Sequence, residues 1–430
     1  MPPLTKNADL YLKIMQKLSQ YPFHNLDFKK IIDKKVWAIV ALGRMERLKR
    51  AFRNVLFLHR EINYCPGQGD ILFVRQDNLR ADHKRNYEKV IGLFSSEEVN
   101  SMDLVVNENM PNLKLLIARI INTLSTMIRI QKCTSSSPSL GLGLVFSLAA
   151  EVVQIEDFYR IFAHCEISEK CVVVFHDASS LLNLICQGLK GTTIKTVTLQ
   201  HGLYIEWNYP GVHNTDYENT CADYFFSWGP ATQVLIENYN KRSKVMNVGH
   251  PFFIGYKPKL HTKQHRFGVV LCAVAFREDN RKLIAFAEHI SQAISVPYMV
   301  KLHPADNESY YFKIPHNHCE RFLDKSVTIM DYVDLVDFSI TNPSSLLYQL
   351  LFMGHMTYKF GPAYANNPAE SEWISISDLD SFLDLYKNME QTAYLQSALD
   401  FVSQYFTLGD TGENYRNAFH KVLADSFADK

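Results

Sequence analysis

Thr196-Val-Thr-Leu-Gln-His-Gly-Leu-Tyr204 begins as a short apolar run and breaks off on polar, loop-forming residues. Three later stretches repeat that punctuation: Val248-Gly-His-Pro251, Lys301-Leu-His-Pro304 and Thr341-Asn-Pro-Ser-Ser345. Each follows a run that reads as a buried strand. In an open α/β sheet the ligand crevice lies outside the carboxyl ends of the strands. Four such ends in one chain predict a two-lobed α/β protein with a cleft between parallel sheets.

Working outward, strands are expected at 70–74, 102–106, 171–175, 195–199, 224–227 and 245–248, with helices at 112–130, 143–164, 177–188 and 230–239. Residues 1–60 read as helical, with Leu10, Ile14 and Leu18 on one face. The pattern restarts with a strand from Phe267, a helix over 278–294, and strands at 297–302, 327–330, 338–341 and 355–360. Helices are expected over 344–353 and through most of the tail from Ser375. Strands alternating with helices imply parallel sheets in both halves. The polar, basic stretch 256–266 has no apolar period and reads as the linker. It divides a first Rossmann-like domain (1–255, with a helical N-terminal extension) from a second one (267–430, with a helical tail).

A chain of 430 residues exceeds a single core and fits two domains. With 47% hydrophobic and 21% charged residues it is not disordered wholesale. A formal net charge of zero supplies no global field for nucleic acid. Residues 1–60, however, hold 13 Lys and Arg against 4 Asp and Glu. That excess suits either a solvated helical surface or contact with an anionic membrane or acceptor. The eight cysteines form no Cys-x-x-Cys pair and read as reduced core residues, so no metal site is expected. The N-terminus alternates charged and apolar residues, and no signal peptide is expected. The longest uncharged segment has an apolar part, Leu140–Ala150, too short to span a bilayer. The expected location is cytoplasmic, with peripheral attachment at the inner face of the membrane.

At Asn342-Pro-Ser-Ser345 a strand ends and two serines open a helix. Free amides, two hydroxyls and the positive end of the helix dipole make Ser344 and Ser345 an anion site. Gln349 lies further along that helix, within reach of a ribose only if a nucleotide runs along it. Lys301 and His303 alternate onto one face of their strand, and a cation with an imidazole there suits a phosphate leaving group. Arg277 is a further candidate for phosphate. In the first half, Gly202 and Gly249 mark sharp turns, and His250 sits in the second of them. His201 is the leading candidate for the base that deprotonates an acceptor hydroxyl. The alternatives are Glu206, Asp216, Glu218 and Asp177. No cofactor is expected: a nucleotide-activated donor would itself be a substrate.

At these residues the chain resembles GT-B transferases of bacterial surface polysaccharides. The nearest patterns belong to CDP-glycerol glycerophosphotransferase-like enzymes and to sialyl-, polysialyl- and Kdo-transferases that use CMP-sugars. The resemblance covers about 170–365 and implies an acceptor-facing His201-Gly202 loop and a donor phosphate held by His303-Pro304 and Ser344-Ser345. Gly249-His250-Pro251 matches the Gly-x-Pro before the interdomain linker. It implies a glycosyltransferase with a nucleotide-sugar donor and a glycan or lipid-linked glycan acceptor, for capsule, O-antigen or a related polymer. The motif reads Gln-His-Gly where glycerophosphotransferases have Trp-His-Gly, which leaves CMP, CDP and UDP open. Polyol-phosphate transfer, sugar-nucleotide epimerisation and a non-catalytic scaffold remain as alternatives.

Overall fold

A computed structural model describes residues 4–77, 79–109, 111–133, 140–204, 215–256, 264–272, 276–304, 306–311, 321–342, 344–361, 374–388 and 391–425. The first half runs α1 (Leu4–Leu18), α2 (Phe28–Ala41), α3 (Arg44–Leu56), β1 (His59–Tyr64), β2 (Ile71–Gln76), α4 (Ala81–Ile91), β3 (Val99–Asn107), α5 (Leu113–Cys133) and α6 (Leu142–Phe162). It continues with β4 (Cys171–Phe175), α7 (Ser180–Gly188), β5 (Lys195–Leu199), α8 (Thr215–Glu218), β6 (Tyr224–Ser227), α9 (Pro230–Tyr239) and β7 (Lys244–Asn247). These strands form one seven-stranded sheet in the order β1-β3-β2-β4-β5-β6-β7, parallel except for β1.

Burial explains the sheet. Every residue of β4, β5 and β6 is buried, as central parallel strands covered on both faces require. Alternate residues divide the faces. Leu72, Val74, Val172 and Val174 pack with α1, α2, α6 and α7, whereas Ile71, Phe73, Val173 and Phe175 pack with α4 and with the last helix of the chain. α6 is buried nearly all round because α1, α2, α3 and α5 form a second layer outside it.

The second half contains β8 (Phe267–Val270), α10 (Arg277–Ile294), β9 (Tyr298–Lys301), α11 (Ile329–Val333), β10 (Ser339–Thr341), α12 (Ser345–Phe352), β11 (Thr357–Phe360) and β12 (Ser375–Ile376). Helices α13 (Leu379–Asn388), α14 (Gln391–Val402) and α15 (Thr411–Ala424) follow. The sheet order is β12-β11-β10-β8-β9, all parallel.

Three expectations are corrected. Val327–Met330 is not a strand: Thr328 and Asp331 form a capping box that starts α11. The helical reading of 1–60 stops at Leu56, because His59–Tyr64 pairs with β3 as an edge strand. The tail does not stay with the second sheet. α15 returns to the first, where Tyr415, Phe419 and Val422 join the core of Phe73, Tyr87 and Phe226. Lys195 Nζ donates to Val422 O at 2.7 Å, and Asp425 pairs with Lys244 at 2.6 Å. Gly249 (φ 92°) lies against this crossing, and a Cβ there would meet Thr411 Oγ1 at 3.1 Å.

Candidate functional site

The carboxyl ends of β4 and β5 carry His176 and His201. Their rings stack at 3.4 Å between centroids and 15° between planes. His176 adopts φ 71°, a left-handed backbone that an L-residue takes only against a cost, and its amide is held by Leu199 O at 3.2 Å. Asp216 on α8 lies 3.3 Å from His176 Nε2, and Lys34 of α2 reaches both, 2.5 Å from the carboxylate and 2.7 Å from His176 Nε2. On the far side His201 Nδ1 is 3.0 Å from Tyr204 OH, and His83 of α4 lies edge-on at 5.9 Å.

The electrostatics of this stack are consistent. Burial, followed by the charge of Lys34, lowers the His176 pKa. Burial, then His176, holds His201 well below the usual imidazole value. Burial alone would raise Asp216, but its hydrogen bond to His176 and the nearby cations overcome that and keep it below the ordinary carboxylate range. At neutral pH the site is therefore two neutral imidazoles beside a Lys34–Asp216 ion pair. His176, His201 and Asp216 offer donor atoms within 4.8 Å of one another, a spacing that a metal could use. The Lys34 ammonium already lies on the Asp216 carboxylate and beside His176 Nε2, which on a neutral ring either accepts from Lys34 or donates to Asp216 but not both.

Gln200 builds the turn that presents His201. Its buried amide donates to Gly202 O at 2.7 Å and to Thr232 Oγ1 at 3.0 Å, and accepts from Trp228 N at 2.6 Å. Gly202 has open space beside it and needs no left-handed φ, so flexibility is not its role in this structure. Asp177 is removed from the candidate bases. Its buried carboxylate accepts the amides of Cys221 at 2.6 Å and Ala222 at 2.8 Å. Glu206 and most of the loop that carries it lie outside the described residues. Glu218 lies on α8, as does Asp216.

In the second lobe α12 starts where the two serines predicted. Ser344 is its N-cap in extended conformation with no side-chain cap hydrogen bond, and its buried Oγ neighbours the Cys272 thiol. Ser345 is the first helical residue and is exposed. Lys301 closes β9 and donates to Val327 O at 2.6 Å. Burial and then Arg85 lower its pKa, while burial and then Arg80 lower that of His303. Arg80 stands at the N-cap of α4 and Arg85 lies on that helix, in the first lobe, and Arg80 is paired with Asp82, whose charge acts on His303 in the opposite sense. Arg277 begins α10 with its guanidinium on Asp306 Oδ1 at 2.9 and 3.0 Å and over the Tyr310 ring.

Gln349 is the other correction. Its side-chain amide is 3.1 Å from His250 Nε2, so it ties α12 to the turn before the linker instead of facing a nucleotide. His250 Nδ1 accepts from Phe252 N at 2.9 Å, which puts the proton of the neutral ring on Nε2, so the Gln349 amide must turn its oxygen to it to accept that proton. The cations of 1–60 are also partly spent inside the protein: Lys30 on Thr220 O, Lys34 on Asp216, and Lys35 and Arg50 on Glu151.

Sequence reasoning missed His176, Lys34, His83, Arg80, Arg85 and Tyr204. His176 follows β4 as His201 follows β5, so the strand-end rule that found one applies equally to the other.

No protein-family model and no curated protein matches the chain. Solved structures do. S. aureus MnaA, solved with UDP, superposes with a TM-score of 0.51 at 10% identity, over 84% of this chain and 100% of that one. A putative UDP-N-acetylglucosamine 2-epimerase from Listeria monocytogenes gives 0.50 at 13% identity, over 82% and 96%. The wall teichoic acid polymerase TagF gives 0.43 at 8%, over 97% and 98%. The fold is GT-B-like. At these identities the likeness is one of fold, and the chemistry has to come from the side chains.

Proposed function

We propose that this protein is a glycosyltransferase that moves a sugar from a nucleotide-activated donor to an acceptor hydroxyl of a growing surface polysaccharide. One observation carries the reading. Lys301 and His303 lie at the end of β9, where burial first, and then Arg85 for Lys301 and Arg80 for His303, lower both, with Arg80 itself paired to Asp82. A phosphate placed there would offset those cationic charges and stabilise a departing nucleotide. The N-terminus of α12 and the Ser344 hydroxyl, whose neighbour among the described residues is the weakly bonding Cys272 thiol, would complete its cradle.

His201 would take the acceptor proton. It can do so only with its own proton on Nδ1, donated to Tyr204 oxygen, which leaves the Nε2 lone pair free. Its lowered pKa keeps it unprotonated at neutral pH. The Lys34–Asp216 pair and His176 would hold the ring in place from behind. The step uses protein cations and needs no metal. The UDP held by MnaA supports trying UDP beside CMP and CDP.

A second reading is a sugar-nucleotide epimerase, favoured by the clustering of His176, His201 and Asp216 and by the fold shared with the putative Listeria epimerase. A melting-shift screen of CMP, CDP, UDP, GDP and their sugars, followed by product analysis, separates the two. Nucleotide release that depends on an added glycan acceptor supports transfer. An epimerised sugar nucleotide formed without acceptor supports the second reading, and no shift with any nucleotide refutes both.

A further inference from the structure

Helix α5 is inverted. Its buried face carries Arg119, Thr123, Thr126 and Ile130, while Leu113, Ile117, Ile121, Leu124 and Ile128 are 49–72% exposed. The exposed five fall at helical spacing on one face and span about 22 Å of helix. A soluble helix normally turns such a stripe inward. Here Arg119 is committed inward instead, to Asp157 at 3.1 Å and Leu58 O at 2.9 Å, and this fixes the rotation of the helix. α3 and α5 both pack on α6, and exposed Phe52 and Phe57 lie on and just after α3.

The charge around this face is one-sided. α5 has no acidic residue; of its cations Arg119 is turned onto Asp157 and Arg129 onto Glu156, and Lys114 and Lys132 stand near the two ends of the apolar stripe. The cavity that Leu58 lines lies toward the buried side of α5, where Lys35 and Arg50 pair with Glu151 and Arg53 with Glu108, so it adds no charge to the exposed face. Arg60 Nε in that cavity is buried and has no partner among the described residues. No helix among the described residues is long and apolar enough to cross a membrane.

We propose that this face of α5 docks on an anionic lipid bilayer with the helix in the plane of the interface. Apolar side chains enter the acyl boundary while the flanking cations meet acidic headgroups. A second copy of the chain fits less well, since two such faces would bring cations together with no acid on either helix. The proposal moves the expected membrane contact away from the basic N-terminal residues, several of which are paired internally, and does not rest on the nucleotide reading.

The test is co-sedimentation of the full chain with vesicles of phosphatidylcholine alone and of equal parts phosphatidylcholine and phosphatidylglycerol. The protein should bind the anionic vesicles about tenfold more tightly or better, and high salt should weaken that binding. Ile117→Gln, Ile121→Gln and Leu124→Gln together should reduce binding at least about tenfold with an unchanged melting temperature. If that variant melts early, Lys114→Glu with Lys132→Glu reads the same contact through its charges. Equal binding of wild type to the two vesicle types, or undiminished binding by these variants, overturns the proposal. So does a lipid-free dimer that the triple variant abolishes.

Discussion

Acid should weaken this fold through His250 by about 2 kcal/mol between pH 6.5 and 4.5. The ring is 2% exposed, packed against Trp228 at 3.9 Å between centroids, with Nδ1 on the Phe252 amide and Nε2 on Gln349. Burial first, and then the charge of Lys89, hold its pKa down to about 3. An unfolded histidine takes its proton near pH 6.5. Between those values the unfolded chain binds a proton that the folded one refuses, so stability falls as pH falls. A full pH unit in that window is worth about 1.4 kcal/mol, and because the unfolded ring is only half protonated at pH 6.5 the two units together give about 2 kcal/mol. His250→Asn isolates the effect. Asparagine can still accept the Phe252 amide as a cap, but it does not titrate. Lost ring packing should lower the variant's stability at both pH values, while its loss between them should be smaller than wild type by about 2 kcal/mol. Urea unfolding of both proteins at pH 6.5 and 4.5 measures this, and the acid sensitivity of His83, His176, His201 and His303 cancels in the comparison. Equal losses in the two proteins would refute the reasoning, because the native ring would then be taking up its proton freely.

Other outcomes follow from the site. Tyr204→Phe removes the acceptor that fixes the His201 tautomer, so kcat should fall about tenfold with little change in donor KM, while His201→Ala should cost about a hundredfold or more; steady-state kinetics decide this. The pH profile of kcat/KM should stay flat from neutral down through pH 6.5 and drop only below it, since burial keeps His201 unprotonated; an acid limb above 6.5 would point to another base. Asp177→Ala leaves the Cys221 and Ala222 amides without an acceptor and should destabilise by about 2–6 kcal/mol, whereas Asp216→Ala, in a partly exposed pair, should cost about 1 kcal/mol or less; urea midpoints compare them.

The central strands were legible because parallel sheets bury both faces. Cys171-Val-Val-Val-Phe175 and Lys195-Thr-Val-Thr-Leu199 are runs with no solvent side. β1 was not legible: His59-Arg-Glu-Ile-Asn-Tyr64 is a largely polar edge strand whose pairing depends on distant β3. At 327–330 an apolar run outweighed the capping signal of Thr328 and Asp331. The α15 crossing could not be read because an amphipathic helix does not record which sheet it covers. On the site, strand ends gave His201, His303 and Ser344. Lys34 and Arg80 come from helices whose role appears only when the chain folds them over those ends. Asp177 and Gln349 are chemically suitable residues that the backbone and the linker turn had already engaged.

Calorimetric titration of UDP, CDP and CMP into wild type, Ser344→Ala and His303→Ala tests the central claim most directly. At least one nucleotide should bind the wild type, and each substitution should weaken it by about tenfold, as loss of one hydrogen bond to a charged phosphate implies, with melting temperatures unchanged in the absence of ligand. Binding that survives both substitutions undiminished would contradict the placement of the donor phosphate at the start of α12 and the end of β9.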